Sequence, residues 1–461
     1  MTVGQGRATV RAMRILILAA VAAFALPAAA QTPVQTPPSG PSASVRAMAA
    51  GYKALTVCSA VKTAEAAGGT RTLESVEANE LMGIYPELDG LVREMPVEID
   101  LQSVAVAWDE VMPPRFATHE PGQGCVIMPV GWRYDGSYVM ATHHPRRNEA
   151  FEAAEPAGNA ALLNEAVEGA FVGHYGDGSN TTAVLVLQGD RIVAEEYAEG
   201  FGVDTPQRTW SVAKSLAGTI IGAAVQRGAA DVEAPAAIAD WRGDDPRAAI
   251  TLDQLLRMSS GLTSDTAGNR TDAIYFGGVA VDEQVTTWPL IAPPGARFRY
   301  ANNDILLAVL SIASDFKDHP PAELFRRLGM YDTWAETDWR GNYVLSSQVW
   351  STARDLARFG QLYAHDGVLN GERILPEGWL EYVSRPSGPQ PMGEQGYGAT
   401  FWLMNTSEGV PPDTISANGN RGQYVIIVPS RNIVIVRRGE DPTGKRFDPI
   451  AFTRDVLAAL D

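Results

Sequence analysis

Residues 182–197, TAVLVLQGDRIVAEEY, are followed at 210–227 by WSVAKSLAGTIIGAAVQR, and these two stretches decide the fold. In the first, two runs rich in Val, Leu and Ile flank Gly189-Asp190, a pair suited to a tight turn, so the segment reads as a β-hairpin. In the second, small and apolar residues stand nearly all round the helical wheel from Ser211 to Arg227, which predicts a helix buried on every side. Ser211 therefore falls where a loop meets the start of a buried helix. Toward the far end, 424–428 and 433–437 flank a turn at 429–432 and predict a second hairpin, while 252–257 and 352–364 read as helices. Strands at both ends with helices between them predict an α+β fold: an antiparallel sheet flanked by helices, with an inserted helical domain.

Upstream of the hairpin the chain names no chemistry. Arg7, Arg11 and Arg14 precede an apolar run, and Ala28-Ala29-Ala30 offers small residues before Gln31, the pattern of a signal peptide over 1–30 with cleavage near Ala30. The apolar run is too short to span a bilayer, so no stable membrane span is expected after cleavage, and the compartment expected is periplasmic or extracellular. Residues 31–44 are Pro-rich and polar and read as a linker. A first folded region, 45–150, carries a helical stretch at 73–81 and strand-like pieces at 103–108 and 125–130; the larger domain runs over 157–461. The only two cysteines, Cys58 and Cys125, both lie in this first region. In an oxidising compartment they read as one disulfide, two buried thiols being the other reading.

The formal charge is −17, and removal of three arginines and no acid with the leader takes it to −20. So acidic a chain is a poor partner for nucleic acid, whose binding needs basic surface. The residue pattern does not choose an oligomeric state, nor whether the first region caps a cleft or mediates association.

The chemistry centres on Ser211-Val212-Ala213-Lys214. A three-residue spacing puts both polar side chains on one helix face, about one turn apart. The helix N-terminus offers N–H groups and a positive dipole end to developing negative charge. Burial among Val212, Ala213, Leu216 and Ala217 lowers a lysine pKa toward a value at which it accepts a proton. Standing alone, the tetrapeptide is a weak signal that arises by chance in many proteins and is better read as a helix cap followed by a surface lysine. Tyr300-Ala301-Asn302, after Pro293-Pro294-Gly295, adds a phenol whose pKa a neighbouring lysine is expected to depress, and an amide able to orient lysine or substrate. Residues 416–423, SANGNRGQ, lead into the last hairpin; a glycine-lined strand edge can lay its backbone beside a substrate and join the Ser211 N–H in an oxyanion hole.

Taken together, WSVAKS (210–215), ITLDQLLRMSSGL (250–262), PPGARFRYANND (293–304), LFRRLGM (324–330), STARDLARFGQLYAHDGVLNGERILP (351–376) and GNRGQYVIIVPSRNIVIVRRG (419–439) resemble the serine β-lactamase and penicillin-binding superfamily. The resemblance lies nearest its class C, family VIII esterase and 6-aminohexanoate-dimer hydrolase branch, and covers roughly 180–455. It implies Ser211 as nucleophile, Lys214 as its activating partner, and Tyr300 and Asn302 as the Y-x-N pair. It further implies Asn418 and Gly419 at the substrate edge, Asn420 as the second oxyanion donor, and Tyr275 as a substrate contact. The family's third motif, Lys-Thr-Gly or His-x-Gly, falls on Ala417-Asn418-Gly419, where neither cation is present. That cation normally meets a β-lactam carboxylate, so its loss shifts the expected substrate toward small-molecule esters and amides.

A Ser-His-Asp hydrolase needs a histidine base and a G-x-S-x-G elbow; the six histidines, His119, His143, His144, His174, His319 and His365, come with no such elbow. No H-E-x-x-H marks a metal, and no Walker or dinucleotide loop marks a nucleotide, so no metal or organic cofactor is expected. The readings left open are a small-molecule esterase or amidase, a D,D-peptidase or β-lactamase, and a binding or sensor module on the same fold.

Overall fold

The computed structural model describes residues 40–134, 151–263 and 271–461. The leader 1–30, most of the 31–44 linker, His143 and His144 lie outside the described residues. Ser42–Asp461 is one compact unit, so the first folded region is built into the body that carries the hydrolase motifs. Its opening helix, Ala43–Ala66, starts inside the stretch read as linker, with Ser42 as N-cap accepting from the Val45 N–H.

The body is organised on an eight-stranded sheet. Its order is Gly396–Tyr397, Trp402–Leu403, Ile415–Gly419, Gln423–Val428, Ile433–Gly439, Thr181–Gln188, Arg191–Tyr197 and Glu152–Ala153, antiparallel throughout except for the last pair. The first and last hairpins of the chain are thus neighbours, with Ile435 paired to Val186. Both faces are covered, which is why the Thr181–Gln188 run is apolar without a polar alternation. Ala183, Leu185 and Leu187 enter the core beneath the helix Val212–Gln226, while Val184 and Val186 enter a second core with the terminal helices Ala160–Phe171 and Pro449–Ala459.

The predicted helices at 252–257 and 352–364 appear as Leu252–Leu256, with a Thr251/Gln254 capping box, and Ala353–Ala364, capped by Thr352. A short three-stranded sheet, Gln207–Arg208, Val349–Ser351 and Thr333–Ala335, leads the chain into Ser211. Buried Arg438 locks it to the main sheet: its guanidinium donates to Ser351 O, Gln207 O and Gln423 Oε1, at 2.6, 2.8 and 2.6 Å. Charge-assisted bonds of this kind compensate a guanidinium removed from water.

The first folded region is a layer of its own. Ala43–Ala66 packs on a four-stranded antiparallel sheet, Val97–Ile99, Ser103–Val106, Arg115–Glu120 and Gly124–Ile127, and the Cys58–Cys125 disulfide pins helix to sheet. This layer docks against the site side of the body. Arg115, held to Ala47 O of the layer's own helix at 2.8 Å, donates across to Phe276 O and Gly277 O at 3.1 Å each, and Ser59 Oγ donates to Glu336 Oε1 at 2.5 Å.

Candidate active site

Ser211 stands at the start of the buried helix Val212–Gln226, immediately after Trp210, a non-glycine residue in the left-handed region at φ 50°. Such a conformation persists only where the surroundings hold it. Here the Arg208 guanidinium lies 3.7 Å from the Trp210 ring centroid and donates to Ser347 Oγ at 2.8 Å. The strained turn presents the serine hydroxyl to a cleft of about 450 Å³.

Lys214 lies one turn along the helix and is buried. Its Nζ donates to Ser211 Oγ at 2.9 Å, Asn302 Oδ1 at 2.6 Å and Ser346 O at 2.9 Å. Burial, and then the positive field of Arg208, pull its pKa down to about 7. Burial opposes the ammonium because low-dielectric surroundings cannot replace its hydration.

Tyr300 corrects the expectation drawn from its neighbour. Lys214 Nζ lies 5.0 Å from the Tyr300 ring centroid, yet the phenol pKa is pushed up to about 12. Burial outweighs every other influence, and the hydrogen bond with Ser211 only partly offsets it. Since the lysine is itself near neutrality, it supplies little positive field to stabilise a phenolate. At neutral pH the pair is therefore a protonated phenol beside a lysine at its titration midpoint. Trp402 and Tyr397 hold the Tyr300 ring, with centroids 5.4 and 5.9 Å away.

Asn302 opens the helix Asn302–Ser311, and its amide bridges the site: Oδ1 accepts from Lys214 while Nδ2 donates to Thr271 Oγ1 at 2.9 Å. Tyr275 sits in a π-helical turn, Ala273–Gly277, with its hydroxyl 2.7 Å from Ser346 Oγ, so Ser346 joins Tyr275 to Lys214. Both Tyr275 and Asn302 line the cleft.

The third motif runs along the strand Ile415–Gly419 into a turn at Asn420–Gly422. Gly419 lies against the turn at Trp210-Ser211: a Cβ there would collide with the Thr209 carbonyl and come within 3.2 Å of Ser211 N. Only glycine permits that approach. Asn418, Gly419 and Asn420 all line the cleft, with Asn418 Oδ1 accepting from Ser416 Oγ. Ala417 is fully buried on the face turned to the helix Val212–Gln226, so a methyl group stands where the resemblance expects a cation.

Every residue singled out from the motifs thus converges on one cleft or on its floor. What sequence reasoning missed is Trp210, Arg208, Ser346, Trp402 and Tyr85. The positive φ of Trp210 has no glycine to announce it. Ser346 reaches Lys214 across 132 positions of chain, a pairing no local pattern encodes.

A Beta-lactamase family model matches residues 166–459. A curated relative, the 6-aminohexanoate-dimer hydrolase of Paenarthrobacter ureafaciens, is 28% identical over 316 residues, spanning 61% of this chain and 79% of its own. Among solved structures, a Bacillus anthracis protein described as a candidate 6-aminohexanoate-dimer hydrolase superposes with a TM-score of 0.54 at 22% identity, covering 68% of this chain and 86% of its own. A Bacteroides dorei DSM 17855 protein described as a candidate beta-lactamase gives 0.52 at 20% identity, covering 66% and 99%. Those two likenesses carry the fold. The chain belongs to the Beta-lactamase family, a family of hydrolases with this sheet-and-helix architecture. The layer 43–134, with its disulfide, lies wholly upstream of the matched residues.

Proposed function

We propose that the protein is an exported serine hydrolase that cleaves ester or amide bonds of small molecules through an acyl-enzyme on Ser211. The observation that carries this reading is the contact of Lys214 Nζ with Ser211 Oγ at 2.9 Å in a site that brings the lysine pKa to about 7. A neutral lysine takes the serine proton as Oγ attacks the carbonyl carbon. The N–H groups of Ser211 and Asn420 receive the oxyanion. Tyr300, still protonated, hands its proton to the departing oxygen or nitrogen and recovers one from the Lys214 ammonium. Water then attacks the acyl-enzyme by the reverse proton path and restores Ser211.

The substrate class follows from the cleft wall. Among the described lining residues none is charged; rings of Tyr85, Trp210, Tyr275, Tyr300, Trp402 and Tyr424 alternate with amides of Gln395, Asn302, Asn418 and Asn420. Such a wall suits uncharged esters and amides better than carboxylate-bearing β-lactams. The Paenarthrobacter relative is named as a hydrolase of the 6-aminohexanoate dimer, which makes linear amides a natural second class to assay. Export rests on the leader pattern and agrees with a disulfide; among the described residues no helix is long and apolar enough to cross a membrane.

The test is a substrate panel of p-nitrophenyl esters, short linear amides, D-amino-acid amides and nitrocefin, run with the wild type and Ser211→Ala. Turnover of neutral esters or amides exceeding that of nitrocefin, and lost in Ser211→Ala, is expected. Efficient nitrocefin hydrolysis, or near wild-type activity in Ser211→Ala, would overturn the reading.

A further inference from the structure

Among the described residues, the cleft is lined by one from outside the family match. Tyr85 belongs to the upstream layer, at the N-cap of the short helix Pro86–Val92, yet it faces the same cleft as Ser211 and Trp402. Its ring is backed by Phe276 at 5.9 Å and Tyr52 at 6.1 Å between centroids, so the side away from them is turned to the cleft. Among the described residues its hydroxyl has no hydrogen-bond partner.

The segment carrying it is fastened to the third motif. Arg421, itself in the left-handed region at φ 57°, donates to Asn79 O at 2.8 Å and Gly83 O at 3.1 Å while its Nε is paired with Glu440 at 2.7 Å. Thr443 adds bonds from its N–H to Gly83 O at 2.8 Å and from its hydroxyl to Ile84 O at 2.9 Å. The wall formed by Tyr85 is therefore held by the same arginine that shapes the turn after Asn420, and Tyr85 and Asn420 border the same cleft as Ser211. Pre-positioned aromatic surface of this kind recognises a flat or apolar group at little entropic cost.

We infer that Tyr85 is a specificity-determining residue whose ring takes an aromatic, uncharged substituent, placed on the acyl side because the leaving group goes to Tyr300, whose ring sits among Trp402 and Tyr397 while that of Tyr85 sits against Phe276 and Tyr52. This rests on the hydrolase reading above. The upstream layer thereby has a role in substrate choice, delivered through one side chain.

The experiment compares kcat/KM for p-nitrophenyl phenylacetate and p-nitrophenyl acetate in the wild type, Tyr85→Phe and Tyr85→Ala. The phenylacetate-to-acetate ratio is expected to fall about tenfold in Tyr85→Ala, through KM, and to be kept in Tyr85→Phe, since a ring contact of this type carries about that much. An unchanged ratio in Tyr85→Ala, or an equal loss in both variants, would overturn the inference. Phenylacetamide binding by Ser211→Ala, with and without Tyr85→Ala, reads the contact without catalysis. Weaker binding in the double variant supports the ring contact even if Ser211 proves not to be the nucleophile, and equal binding overturns it.

Discussion

Lys214 Nζ stands 2.9 Å from Ser211 Oγ, and the partners that hold it there, Asn302 Oδ1 and Ser346 O, are both neutral. Buried without an opposing charge at those contacts and in the field of Arg208, the lysine can shed its proton near pH 7. Activity and stability inherit opposite demands from this one relationship.

The activity consequence is a pH profile. The base must be neutral, so kcat/KM for a neutral p-nitrophenyl ester should climb close to tenfold per pH unit below about 7 and level off above it. Because burial pushes Tyr300 up to about 12, no descending limb should appear before strongly alkaline pH. A stopped-flow profile that is flat from pH 5.5 to 8 would contradict the assignment.

The stability consequence runs in the same direction with pH, but as a cost of burying the lysine. The folded-state pKa of Lys214 is depressed from 10.5 to about 7, so between those values the unfolded chain binds more protons, and stability rises with pH. Below pH 7 the buried ammonium carries its full cost, at most about 5 kcal/mol for a shift of this size. Lys214→Met should lose several orders of magnitude in rate yet melt higher than the wild type at pH 6, with the gain shrinking toward pH 10. Thermal melts across that range check it; a lower Tm for the variant at pH 6 would count against it.

The position of these groups in the sequence shows what could be read and what could not. The first strand of the hairpin, Thr181–Gln188, and the helix after Ser211 were legible because both faces of that strand and nearly all sides of the helix are buried, which writes itself as unbroken apolar composition. The S-x-x-K spacing fixed a contact within one helical turn. The ionisation of Tyr300 was not legible: proximity to a lysine follows from motif order, whereas the burial that wins depends on Trp402 and Tyr397, a hundred positions downstream. Tyr85 was hidden for the same reason, since its link to the cleft runs through Arg421, more than three hundred residues away.

Glu336 offers a second titration. Its Oε1 accepts from Ser59 Oγ at 2.5 Å and from the Cys125 N–H at 3.0 Å, and burial pushes its pKa up to about 8. The raised carboxyl binds a proton in the folded state that the unfolded state releases above about 4.5, so its contribution falls as pH rises from there to 8. Glu336→Gln should be close to neutral in stability at pH 5 and stabilising at pH 9, read by urea midpoints. A difference that does not change with pH would refute the account.

The Cys58–Cys125 bridge closes a loop with a sequence separation of 67. Its removal in Cys58→Ala/Cys125→Ala should cost about 4 kcal/mol by loop entropy. Because the bridge pins the layer that carries Tyr85, the double variant should also show weaker discrimination between phenylacetate and acetate esters. Urea unfolding at pH 7 measures the first effect and steady-state kinetics the second; a midpoint unchanged from wild type would contradict the structural role given to the bridge.

The proposed roles of Ser211 as nucleophile and Lys214 as its base meet at one reactive hydroxyl. The most direct measurement is intact and peptide mass spectrometry of the protein after exposure to a fluorophosphonate, across pH 5.5 to 8.5. One adduct per chain is expected on the peptide containing Ser211, formed at a rate that rises through about pH 7 and collapses in Lys214→Ala. An adduct on another residue, no adduct at all, or a labelling rate indifferent to Lys214 would contradict it.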